Sequence, residues 1–125
     1  YSEAGYELTL MNPFEPEKEL DMSIKIRGDK SRTVEAFNRK KFNEFQTKEK
    51  VAKGKQKEVE YKAEDLEEMG IEQFAVRVIS WKGFRLNGQE LECTPENIKM
   101  VGKDYPWIRE QVKKAAEDLD NFRPR

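Results

Sequence analysis

Trp81-Lys82-Gly83-Phe84-Arg85-Leu86-Asn87-Gly88-Gln89-Glu90-Leu91-Glu92-Cys93-Thr94-Pro95-Glu96-Asn97 runs a hairpin signal straight into a helix start. Asn87-Gly88 supplies the two residues that a type I′ turn requires at positive φ, and Phe84 to Leu86 and Gln89 to Leu91 alternate as short strands do. Thr94 then stands as an N-cap, with Pro95 at the first helical position. Glu96 and Asn97 occupy the first turn, where acidic and polar groups meet unpaired amide N–H groups. The stretch predicts a strand pair feeding a helix and carries no chemistry of its own.

Downstream, the helix from Pro95 is expected to stop near Val101, with Gly102 as a left-handed C-terminal residue. A last helix follows, capped by Asp104, opened by Pro106 and buried along Ile108, Val112, Ala115, Ala116 and Leu119; Phe122 closes it. Upstream, a helix is read from Glu58 to Ser80. Val59, Ala63 and Leu66 lead into Ile71, Phe74, Ala75, Val78 and Ile79, the most apolar part of the chain and the expected centre of the core. Gly70 inside it marks a bend, a close contact or an interruption.

Before that, Val34, Phe37, Phe42 and Phe45 form an imperfect apolar stripe on a very polar helix from Arg32 to Ala52, which Asp29 or Ser31 can cap. Leu20, Met22, Ile24 and Ile26 fall at every second position, the pattern of a strand with one buried face. The first residues carry Pro13 and Pro16 and read as an extended arm with a strand near Tyr6 to Leu10. The expectation is an arm over residues 1–21 and a single mainly helical domain over 22–125. Its fold class is mainly α with a small β component: an N-terminal strand and a central β-hairpin.

Composition narrows the function classes. The chain has 125 residues, 39% charged and 36% hydrophobic, with 24 basic side chains against 25 acidic ones. A net charge of -1 argues against a general binder of nucleic acid or membrane surfaces. There is no histidine and one cysteine, Cys93. That removes the usual general base near neutral pH, an internal disulfide and a thiolate zinc site, and it fits a reducing compartment. No stretch approaches the length of a membrane span, and no signal peptide is recognised. The acids at Glu64-Asp65 and Glu67-Glu68 lack the alternation and central glycine of a calcium loop. No catalytic, cofactor or metal residue is therefore expected, and an enzyme is not.

What remains is binding. Arg39, Lys40, Lys41, Lys48, Lys50, Lys53, Lys55 and Lys57 precede Glu58, Glu60, Glu64, Asp65, Glu67, Glu68 and Glu72. Two antiparallel helices would let these charges answer one another within a protomer, or between protomers of a homo-oligomer. Trp81, Trp107 and Tyr105 flank helix ends, where large rings commonly lock a hairpin to a helical body; the alternative is an interface anchor. Cys93 reads as a small apolar filler whose place before a helix would lower its pKa. The candidate partner-binding residues are Phe37, Phe42, Phe45, Arg39, Lys40, Lys41, Trp81 and Trp107.

Arg27-Gly28-Asp29-Lys30-Ser31 before a charged helix, Trp81-Lys82-Gly83-Phe84, the strand pair around Asn87-Gly88, Cys93-Thr94-Pro95-Glu96-Asn97, and Pro106-Trp107-Ile108 with Asn121-Phe122 together resemble small tail-region proteins of long-tailed bacteriophages and prophages. Among these the chain is most similar to tail assembly chaperones, over about Met22 to Phe122. The resemblance implies a non-catalytic helical protein of the host bacterial cytoplasm. Such a protein binds the tape measure protein, keeps it soluble, helps recruit tail tube protein and is absent from the mature virion. A structural subunit of the tail, connector or baseplate is the alternative. A nucleic-acid binder using Arg39 to Lys57 is a third reading.

Overall fold

The computed structural model describes residues 5–54, 62–86 and 88–122. Three strands form an antiparallel sheet in the order β1-β2-β3: β1 is Tyr6–Met11, β2 is Glu19–Ile26 and β3 is Val78–Lys82. Around it stand α1 (Arg32–Gly54), α2 (Ala63–Arg77), α3 (Pro95–Asp104) and α4 (Pro106–Glu117), followed by a 3-10 turn, Leu119–Phe122. A second, two-stranded ribbon pairs β4 (Arg85–Leu86) with β5 (Gln89–Glu90). The class is mainly α with a small β component, as the periodicities predict.

The alternation in β2 has the consequence expected of it. Ile24 and Ile26 are fully buried, while Asp21 and Lys25 point to solvent. They meet Leu10 of β1, Phe74 of α2, Val101 of α3, and Ile108, Val112 and Ala116 of α4 in one core. Part of the stretch read as an arm belongs to this sheet: Tyr6 pairs with Ile26 and Leu8 with Ile24. Its edge is closed by a side chain. The Gln111 amide accepts from Met11 N–H at 2.8 Å and donates to Met11 C=O at 2.8 Å, mimicking a strand neighbour for otherwise unpaired backbone groups.

Four expectations are corrected. The helix read to Ser80 stops at Arg77, and Val78, Ile79, Ser80, Trp81 and Lys82 form β3. A β-bulge opposite Lys25 and Ile26 inserts an extra residue, so Val78 and Trp81, three apart, both face the core. That spacing is a helical one, which is why the strand reads as a helix continuation. The start of the helix, Glu58 to Tyr61, lies outside the described residues. Leu66, in the lead-in to the apolar half of that helix, is 58% exposed.

Gly102 does not end its helix. It is buried inside α3, where a Cβ would stand 2.9 Å from Phe74 Cδ2, so it permits α3 to lie close on α2. Asp104 is the last residue of α3, and the turn into α4 is made by Tyr105, with Pro106 at the first position as predicted. Leu119 is 54% exposed, because the 3-10 turn rotates it off the α4 stripe and brings Phe122 into the core instead.

The opening stretch folds largely as read. Thr94 Oγ1 accepts from Asn97 N–H at 3.2 Å at the start of α3. Gly88 has φ +78°, the conformation that its side of the turn requires; Asn87 lies outside the described residues. Trp81 stacks on Phe84 with centroids 4.5 Å apart, and its indole N–H donates to Leu91 C=O at 2.8 Å. The ribbon is thereby fastened to β3 through a ring and a hydrogen bond.

Candidate partner-binding surface

Helix α1 begins as a well-anchored element. Ser31 is the cap: its Oγ accepts from Val34 N–H at 3.2 Å, and Val34 is buried beneath it. Asp29 has another task. Its carboxylate receives Arg77 Nε at 2.9 Å and Nη2 at 3.2 Å, and its N–H donates to Ala116 C=O at 3.0 Å. Arg27 Nη1 donates to Val76 C=O at 3.0 Å and to Val78 C=O at 3.3 Å, the carbonyls where α2 passes into β3. The Arg27-Gly28-Asp29 turn is thus a clamp that sets α1 against the end of α2.

Beyond its first turns α1 leaves the core. Phe37 is half-buried with Lys41 Nζ 5.7 Å above its ring, whereas Phe42 is 59% and Phe45 38% exposed. Arg39 and Lys40 are exposed. Lys41 bridges to Glu72 of α2 at 2.6 Å and to Glu44 at 3.4 Å, and the Glu72 hydrogen bond, partly opposed by desolvation, raises the lysine pKa. The expected answering of charges between the two helices is thus seen at Lys41 and Glu72. Glu64, Asp65, Glu67 and Glu68 stay exposed, and Asp65 turns back to accept from Lys62 N–H at 3.1 Å. Lys55, Lys57, Glu58 and Glu60 lie outside the described residues.

The other candidates separate by burial. Trp81 is only 9% exposed and takes the core alternative; Trp107 is half-buried beside Met22 and Ile108, and Tyr105 is 42% exposed. The surface therefore centres on α1 and α2, with Phe42, Phe45, Leu66 and Met69 as its exposed apolar groups. Leu66 and Met69 were missed because the sequence reading sought apolar anchors among the phenylalanines of α1 and took the first half of α2 as a lead-in to the core. Cys93 is half-buried, and desolvation pushes its thiol pKa up, the reverse of the shift expected from a helix start. Among the described residues no three His, Cys, Asp or Glu gather as a metal site, and no helix is long and apolar enough to cross a membrane.

Residues 34–125 match the YdaY prophage protein family, and the chain belongs to that family. The match starts at Val34, the buried residue that seats α1, and covers every helix-bearing segment after it. No curated protein and no solved structure matches the chain.

Proposed function

We propose that this protein is a non-catalytic tail assembly chaperone of a long-tailed phage. It acts in the host cytoplasm, covers the helix-forming tape measure protein before assembly, helps recruit tail tube protein and leaves before the virion is complete. Membership of a prophage family supports the phage setting. The observation that carries the reading is the exposed Phe42, set among Arg39, Lys40 and other charged groups on the outer face of α1, which is exposed among the described residues. A few apolar anchors among many weak polar contacts bind an amphipathic helix reversibly, as a factor released during assembly requires.

The test is an affinity pull-down of the tagged chain from induced lysogenic cells, with bound proteins and purified particles both analysed by mass spectrometry. Recovery of a long helical tail protein, with this chain missing from particles, is the expected result. Stoichiometric presence in particles would instead make it a structural subunit of the tail, connector or baseplate. Retention on nucleic acid that weakens steeply with salt would favour the third reading.

A further inference from the structure

A groove runs between α2 and α3, and its character is acidic with an apolar floor. Glu64, Glu67 and Glu68 of α2 and Glu96 and Asp104 of α3 outnumber Lys99 and Lys103 along it. Half-buried Ile71 and Met100 lie between the rims. The complementary object is on the same chain. Arg39, Phe42, Asn43, Gln46 and Lys50 fall on one face of α1 by helical spacing, and all are exposed. Lys40, also exposed, flanks that face about 100° round the helix from Arg39, and exposed Glu35 sits on it one turn before Arg39.

The chain's own α1 is held elsewhere. Lys41 fastens it to Glu72, which is not among the groove residues and stands about 100° round α2 from Ile71. The basic helix for the groove must therefore come from another molecule. We infer that the α2/α3 groove docks helix α1 of a second copy of this chain, with Phe42 over Ile71 and Met100 and the basic side chains against the acidic rims. When two copies exchange helices reciprocally, each seating its α1 in the other's groove, the contact closes as a two-fold dimer. Attraction between exposed charges of opposite sign makes this dimer salt-sensitive and sets its orientation. The inference concerns the purified chain alone and does not depend on the chaperone reading; Phe42 is covered in the dimer, so a foreign helix binds that face only once the dimer opens.

Sedimentation velocity over a concentration series tests it, using two charge-reversed variants whose folding is checked by circular dichroism. Arg39→Glu with Lys40→Glu makes the helix acidic; Glu67→Lys with Glu68→Lys makes the groove basic. Each alone is expected to weaken dimerisation tenfold or more, and an equimolar mixture to restore it, because each mixed contact again joins opposite signs. Phe42→Ser, at an exposed site, is expected to weaken the dimer without changing the fold. A wild-type chain that stays monomeric overturns the inference and leaves the groove to a foreign basic helix. A dimer indifferent to both reversals, or variants that the mixture fails to rescue, overturns it as well.

Discussion

Replacing Asp29 by alanine removes one half of the clamp beneath α1 and leaves the Arg77 guanidinium without its carboxylate. The Arg77 side chain is 8% exposed and that of Asp29 26%, and the pair is bidentate at 2.9 and 3.2 Å. Breaking a fully buried pair costs about 3–5 kcal/mol, whereas an exposed pair contributes about 0.2–1 kcal/mol. Partial access of water to the Asp29 side places the loss between these, at about 2–3 kcal/mol. Against a total stability of about 5–15 kcal/mol this is a large fraction. It corresponds to a fall in Tm of about 8–12 °C for a domain of this size. Urea unfolding followed by circular dichroism measures the loss. Arg77→Met on the Asp29→Ala background removes the stranded charge and is expected to recover much of it. A loss under about 0.5 kcal/mol, or strictly additive single and double variants, would refute the reasoning.

Three further outcomes follow from other sites. Gly83→Ala is expected to lose about 3 kcal/mol, because φ is +80° there and a Cβ would collide with the Asp21 carbonyl; equilibrium unfolding reads it, and a neutral result would contradict the close approach of that turn to β2. Trp81→Phe keeps a ring on Phe84 but strands the Leu91 carbonyl, for a loss of about 2 kcal/mol by denaturation, and an unchanged midpoint would show the indole hydrogen bond to be dispensable. Cys93 should react with a thiol reagent at pH 8 more slowly in the native chain than in urea, since burial raises its pKa and depletes the thiolate; equal rates would remove that explanation.

Much of the architecture is legible locally because it is encoded locally. The Leu20-to-Ile26 alternation, the Thr94-Pro95 start, and the Ile108, Val112, Ala115 and Ala116 stripe each state a period or a cap within a few residues, and each is found in place. The candidate surface is partly legible. Phe42 stands out as an aromatic on a polar helix, but nothing near Leu66 or Met69 in sequence distinguishes an exposed turn of α2 from a buried one.

By itself the sequence determined the fold class, the starts of β1, α1, α3 and α4, and the absence of histidine and of any cysteine pair. Tertiary structure decided where α2 gives way to β3, that Gly102 is a packing contact, that Asp29 serves Arg77 while Ser31 caps α1, and which half of α1 leaves the core. The physical reason is range. Caps and periods depend on neighbours within a turn or a strand. A bulge, a close helix approach or a buried ion pair depends on residues brought together from far along the chain, 48 positions apart for Asp29 and Arg77, and their spacing leaves no local mark.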